Sequence, residues 1–356
     1  MADKKSFRMS QLRPYDNIAA GHDGVLSDPS GTIVIKPCKQ SEIDFYNSTL
    51  AHPQFLPHIP TYMGWIQLNQ EATAAAQAAG TLILPGQTEP NSSAGSRIAD
   101  APLIEKEWTP SNGEKIQTDM AVVLENVATG YMKPNILDVK LGARLWADDA
   151  PLAKRVKLDK IAEETTSKPL GLRIAGMKTF QGLDNTIQEG TTADGYKLYD
   201  KMYGRSFNTE TVPEGFREYF RLNNEERPKA PMRKVIRRFI DDLEEMTKVI
   251  KNEESRMYSA SLLFVYEGDP QALKEAFSVE KELIEALHEG HPIQNDNHED
   301  HESGESEEED RPKFPPIQSL KLIDFAHAQW TPGQGPDENI LHGIRNVIKI
   351  LNDLVQ

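Results

Sequence analysis

The run Pro134-Asn135-Ile136-Leu137-Asp138-Val139-Lys140-Leu141-Gly142 constrains this chain most, because it sets an acid and a base two residues apart in an apolar stretch closed by glycine. In an extended strand, residues i and i+2 point to the same side. Asp138 and Lys140 therefore share a face and can reach one substrate together. The carboxylate would take a hydroxyl proton while the ammonium holds a phosphate or steadies developing charge. That is the chemistry of phosphoryl transfer. An isolated Asp-x-Lys reads more readily as a strand end carrying a surface ion pair, so the longer string has to decide.

A chain of 356 residues can build two lobes around a substantial core. Its single cysteine, Cys38, excludes an intramolecular disulfide framework and suits a reducing compartment. No stretch approaches the roughly 18 apolar residues of a membrane span, and the start MADKKSFRMS has no signal-peptide core. The expectation is a soluble intracellular enzyme with no membrane insertion.

The net charge of −15 is unevenly placed. Asp296 to Asp310 holds nine Asp or Glu and no Lys or Arg, so that run carries nine of the fifteen net negative charges. Bounded by Pro292, Pro312, Pro315 and Pro316, it cannot bury enough apolar surface to order itself. Residues 290–316 are therefore predicted to be a disordered acidic insert. A second polar stretch, 85–113, reads as a long flexible surface loop.

Between these loops the hydrophobic period changes. Short apolar runs at 30–37 and 119–127 suit strands, with a helix from Glu42 to Thr49 between them. Met232, Val235, Ile236, Phe239, Ile240, Leu243, Met246, Val249 and Ile250 follow helical spacing, as do Ile340, Leu341, Ile344, Val347, Ile348, Leu351 and Leu354. Both segments predict core helices. In Leu152–Lys160 a helix places Lys154, Lys157 and Lys160 within an arc of about 120°, opposite Leu152 and Val156, with Leu158 and Ile161 intruding on the arc. A solvated basic face is the ordinary meaning of such spacing.

The string Pro134 to Gly142 resembles the signature of the inositol polyphosphate kinase family. Further blocks occur in that family's order: Gly21-His22-Asp23-Gly24, Ile35-Lys36-Pro37, Phe45-Tyr46, Leu124-Glu125-Asn126-Val127, Gly176-Met177-Lys178, Tyr203-Gly204-Arg205-Ser206, Ser261 to Gly268, and Ile323-Asp324-Phe325-Ala326-His327. With the acidic insert before the last block, the chain is most similar to the family's fungal multikinases. The resemblance implies an α+β, bilobal kinase-like fold. Its small antiparallel-sheet N-lobe would span 1–127 with the hinge at its end. The larger C-lobe, 128–356, would carry a short inositol-phosphate-binding helical insertion at 144–168.

The resemblance also implies roles. Lys36 would reach the ATP phosphates, paired with Glu42 or Asp44, between which the sequence does not choose. Backbone groups of Glu125 and Val127 would bind adenine. Asp138 would orient or deprotonate the attacking hydroxyl and touch the ribose, and Lys140 would bind substrate or the transferred phosphoryl. Asp324 would hold Mg2+. Lys154, Lys157, Lys160, Lys178 and His327 would contact inositol phosphate. Arg205 reads either as a further cation or as part of a folding motif, and the role of Ser261 stays open. Neither a G-x-G-x-x-G loop nor a Walker A sequence is present, which argues against an ordinary protein kinase.

The expected activity is ATP- and Mg2+-dependent phosphorylation of inositol polyphosphates, trisphosphate to tetrakis- and pentakisphosphate, with phosphoinositide head groups as a possible extension. A single-position inositol trisphosphate or hexakisphosphate kinase is the alternative within the class. A kinase-fold scaffold in a transcription complex, binding transcription factors through the acidic insert, is the alternative outside it. A monomer, in the nucleus and partly the cytoplasm, without direct nucleic-acid binding, completes the expectation.

Overall fold

The computed structural model describes residues 6–8, 12–17, 19, 24–67, 79–85, 118–183, 190–222, 227–289 and 315–356. Apart from their edges, the predicted loop at 85–113 and insert at 290–316 lie outside the described residues, as do Gly21, His22 and Asp23.

A seven-stranded antiparallel sheet is built from β1 (Ser6–Arg8), β2 (Arg13–Pro14), β3 (Leu26–Ser27), β4 (Ile33–Pro37), β5 (Tyr62–Gln67), β6 (Ala79–Ile83) and β7 (Met120–Glu125), in the order β1-β6-β5-β7-β4-β3-β2. β7 lies at its centre, and its run Ala121-Val122-Val123-Leu124 is buried throughout, because both faces of a central strand are covered. Alternation divides those faces. Ile35 packs with Ile66, Ala121 and Val123 on one side. Lys36 turns to the other, towards helix α1 (Gln40–Ser48).

The second sheet holds β8 (Pro134–Leu141), β9 (Leu172–Phe180), β10 (Tyr196–Tyr199), β12 (Ser261–Glu267) and β13 (Gln318–Ile323), in the order β10-β9-β8-β12-β13. A separate ribbon joins β11 (Ser255–Met257) to β14 (Ala328–Trp330). In β8 the odd positions Leu137, Val139 and Leu141 enter the main core, whereas Ile136 joins a small cluster with Ala128 and Val265 on the other side. Asp138 and Lys140 share that second side by the same alternation.

The remaining helices are α2 (Leu152–Glu163), α3 (Ser167–Leu170), α4 (Lys201–Arg205), α5 (Val212–Tyr219), α6 (Ala230–Asn252), α7 (Pro270–Glu289) and α8 (Glu338–Val355). The two helices predicted from the long periodic runs are α6 and α8, which pack on each other beneath the second sheet. α8 begins at Asp337, whose carboxylate accepts from the amides of Asn339 and Ile340. Phe239 of α6 is completely buried, so truncation to alanine is expected to cost about 3–5 kcal/mol.

Helix α1 is fastened to the second unit by stacking. Phe45 lies 4.8 Å from Phe325 and 5.0 Å from Trp330 between ring centroids. The hydroxyl of Ser41 donates to Ala326 O at 2.8 Å, and Trp330 Nε1 donates to Ser48 Oγ at 2.8 Å. Whatever α1 carries is thereby fixed against residues 324–330.

Candidate active site

Lys36, Glu42, Asp324 and Lys140 form one chain of charge. Lys36 Nζ lies 2.7 Å from Glu42 Oε1 and 2.8 Å from Asp324 Oδ1. Lys140 Nζ reaches Asp324 Oδ2 at 3.5 Å and donates to Ser259 O at 2.8 Å and Ser261 Oγ at 3.1 Å. Glu42, not Asp44, is therefore the partner of Lys36; Asp44 accepts from Gln40 on the exposed side of α1. Burial works against the Lys36 ammonium, but the carboxylates of Asp324 and Glu42 outweigh it and hold its pKa well above the usual lysine value. Burial likewise opposes ionisation of Asp324, yet Lys36 and Lys140 hold its carboxyl below the ordinary range.

Two residues of this cluster have left-handed backbones although neither is glycine: Ser259 at φ 60° and Asp324 at φ 71°. Such positions carry strain. Both present an oxygen to Lys140, Ser259 through its carbonyl and Asp324 through its side chain.

Asp138 is buried, and its Oδ1 has no hydrogen-bond partner. Burial pushes its carboxyl up to about 6; Lys140 pulls it down, Asp324 pushes it up, and hydrogen bonding from Ser261 lowers it. A buried acceptor without a donor costs free energy unless a ligand satisfies it. Among the described residues no group of three His, Cys, Asp or Glu could hold a metal ion. A divalent ion would instead be held by Asp324 together with nucleotide phosphates and water, the mode Mg2+ favours.

The hinge region follows β7. Half-buried Val127 packs, with Ala19, Tyr131 and Leu263, against the buried cluster of Ala128, Ile136 and Val265, so the apolar groups an adenine ring could meet beside the hinge are Val127 and Leu263. The Glu125 side chain faces Thr61 and Lys321, and its amide donates to Thr61 O at 3.0 Å, so adenine recognition at this residue falls to the carbonyl. Between them, Asn126 accepts from Tyr15 OH at 2.8 Å and donates to Gly31 O at 2.6 Å, tying the hinge to the first hairpin.

The basic helix does form, but with a different outer face. Lys154, Lys157, Leu158 and Ile161 are half-buried, while Leu152 and Val156 are 76% and 61% exposed. Lys154 Nζ lies 3.0 Å from His327 Nε2. Burial, followed by Lys154 and Lys39, depresses His327 to about 4, leaving a neutral ring that accepts from Lys154. Lys160 is not brought to this group: its side chain is 72% exposed and pairs with Glu164 at 3.8 Å. The loop leading to α2 is locked in place. Gly142, at φ 99°, admits no side chain, since a Cβ would lie 2.5 Å from Asn339 Nδ2. Arg144 stacks on Trp146 at 3.8 Å.

Lys178 also stands apart from Lys154 and Lys157. It is buried, donating to Asp16 O and Asn17 Oδ1, each at 3.0 Å.

Arg173 is the residue that reading the sequence missed. It pairs with Lys140 in register, while Asp138 pairs with Gly176 and Ile136 with Lys178. Arg173 and Lys178 are five apart and would face opposite sides of a regular strand. The irregularity opposite Asp138 and Val139, where β9 has one extra residue, brings both to the side of Lys140. Burial and the nearby Arg205 push the Arg173 guanidinium down to about 10, while Asp138 pulls the other way. Its hydrogen bonds are long contacts to Thr165 and Ser167 at 3.5 and 3.4 Å. Arg205 Nε is itself buried without a hydrogen-bond partner. The only signal in the sequence was a cation inside the apolar run Leu172-Arg173-Ile174.

The inositol polyphosphate kinase family pattern matches residues 121–352. The inositol polyphosphate multikinase of Saccharomyces cerevisiae is 31% identical over 96% of this chain and 98% of its own length. That of Schizosaccharomyces pombe is 29% identical over 95% and 96%. A crystal structure of the S. cerevisiae inositol phosphate multikinase Ipk2 in complex with ADP and Mn2+ superimposes with a TM-score of 0.57 at 28% identity, covering 90% of this chain and 98% of that one. Sequence match and fold agree: this chain belongs to the inositol polyphosphate kinase family.

Proposed function

We propose that the chain transfers the γ-phosphoryl group of ATP to hydroxyls of inositol polyphosphates, taking inositol trisphosphate to tetrakis- and pentakisphosphate. ATP-dependent phosphorylation of inositol polyphosphates is the activity of its family. The observation that carries the reading is Asp138 Oδ1, buried and without a partner, on a carboxyl held near the pH at which a base must work.

In this reading the substrate hydroxyl donates to Asp138. As its oxygen forms a bond to the γ-phosphorus, the bond from phosphorus to the ADP oxygen breaks, and the hydroxyl proton passes to the Asp138 carboxylate and then to solvent. Lys140 offsets charge on the transferring phosphoryl, and Lys36 holds the nucleotide phosphates. Asp324 fixes the directions of both lysines. A bound Mg2+ would draw charge from the phosphate oxygens there. Lys154 lies against His327 with Lys39 nearby, and Arg173 lies near Arg205, which supports a substrate bearing several phosphates. The test is turnover of a panel of purified inositol phosphates with ATP and Mg2+, with product positions resolved. Phosphorylation of one position on one substrate would replace the multikinase assignment by a single-position kinase, and no turnover at all would refute the activity.

The run Asp296–Asp310, acidic and without Lys or Arg, supports a second role: binding a basic transcription factor, with the protein in the nucleus and partly the cytoplasm. Deleting that run should abolish capture of such a factor while preserving turnover; capture that survives deletion would refute it.

A further inference from the structure

Lys178 was expected among the substrate cations, yet its ammonium is held by the N-terminal segment. Two of its donors go to Asp16 O and Asn17 Oδ1, each at 3.0 Å, and it lies 4.2 Å from the centroid of the Tyr196 ring. The same segment is tied to the hinge through Tyr15 OH, which donates to Asn126 Oδ1 at 2.8 Å. Two residues beyond Asn17, Ala19 lies over β9 so closely that a Cβ on Gly176 would stand 2.0 Å from Ala19 O. Gly176 is the register partner of Asp138. Ala19 also packs, beside the hinge residue Val127, against the small apolar cluster of Ala128, Ile136 and Val265.

We propose that Tyr15–Asn17, with Ala19, form a strap across the nucleotide site, pinned to the hinge by Asn126 and to the second sheet by Lys178. Lys178 is then a positioning residue for ATP and not a ligand of inositol phosphate. The proposal rests on adenine lying beside Val127 at the hinge.

The physical argument is one of competing demands on a single cation. A buried ammonium that gives two donors to the strap and its side to an aromatic ring has little left for a phosphate. The absence of a side chain at residue 176 lets the strap rest directly on the strand that carries Lys178. Nucleotide entry and exit would require lifting the strap, which breaks both hydrogen bonds of the ammonium. Hydrogen bonds from a charged group are the stronger kind, so losing them should be felt in nucleotide affinity.

The experiment measures nucleotide binding by calorimetry, both KM values, and amide exchange of residues 15–17 in the nucleotide-free protein. Lys178→Ala is expected to raise the ADP Kd and the ATP KM about tenfold, with the inositol trisphosphate KM within about twofold and faster exchange in the strap. Asn17→Ala removes one acceptor without touching the sheet and should shift the same quantities in the same direction by less. Lys178→Arg, which keeps the donors, should stay closer to the unmodified enzyme than Lys178→Ala on every readout. A raised inositol trisphosphate KM with unchanged nucleotide affinity would overturn the proposal and return Lys178 to the substrate. Unchanged nucleotide affinity and strap exchange in both alanine variants would overturn it as well. If the unmodified protein bound no ADP, the nucleotide-site reading itself would fall, a result distinct from failure of the latch.

Discussion

Lys36 Nζ sits between Asp324 Oδ1 at 2.8 Å and Glu42 Oε1 at 2.7 Å, so one ammonium joins the first sheet, helix α1 and the end of β13. Glu42 is almost fully buried, and its carboxylate also accepts from the Phe325 amide at 3.4 Å. Because Phe45 stacks on Phe325 and Trp330, α1 is held where this pairing is complete. The lysine is thus directed before any nucleotide arrives, which reduces the reorganisation required at the moment of transfer.

Glu42→Gln should lower kcat/KM for ATP by about ten- to a hundredfold, since it removes one of the two charges that hold Lys36 in the charged form and in place. Asp44→Ala, two residues away on the exposed side of α1, should leave ATP kinetics unchanged. Steady-state kinetics on both variants checks the choice; equal losses would assign the pairing wrongly.

The sequence made the shared face of Asp138 and Lys140 legible because it depends only on strand alternation, which survives in β8. Helices α6 and α8 were legible for a related reason: their apolar period is long and regular. Glu42 and Asp44 could not be separated because both lie near one end of α1, and only its docking through Phe45 fixes which side meets Lys36. Arg173 was hidden by the extra residue in β9, since a bulge reverses the parity on which strand reading depends. Lys160 was grouped with Lys154 and Lys157 by helical spacing alone. Spacing gives an arc without saying where its edge meets solvent, and here Lys160 lies beyond that edge.

Asp138→Asn keeps the size of the side chain and removes its capacity to accept a proton. It should reduce kcat by about two orders of magnitude or more, with modest change in ATP affinity. Single-turnover rates separate chemistry from release. A variant within severalfold of the unmodified enzyme would exclude Asp138 as the base.

The Asp138 carboxyl, raised to about 6, should give kcat an acidic limb. The base must be ionised, so turnover is full above this value and falls as pH drops through it. Ser261 lowers this pKa by hydrogen bonding, hence Ser261→Ala should move the limb to higher pH. Substrate phosphates titrate in the same region, but identically for both enzymes, so the difference between the two kcat profiles isolates the protein group. A limb that stays in place or moves to lower pH would contradict the assignment.

The basic helix offers the sharpest contrast between sequence and structure, because three lysines equivalent by spacing occupy two environments. Lys154 is half-buried and directed at His327, and Lys157 is half-buried on the same helix, while Lys160 pairs with Glu164 in solvent. Lys154→Ala with Lys157→Ala should raise the KM for inositol trisphosphate about tenfold at low ionic strength, with ATP KM nearly unchanged. The increase should shrink with added salt, since screened point charges contribute mainly to ground-state binding. Lys160→Ala should leave both KM values unaffected at any salt concentration. Removing Lys154 also takes away a positive charge that helps hold His327 near 4, so the imidazole pKa should rise in that variant. NMR titration of the His327 ring would follow that rise without reference to turnover. An unchanged substrate KM in the double variant, or a Lys160→Ala effect of similar size, would mean that this helix is a solvated basic face and that the phosphates are held elsewhere.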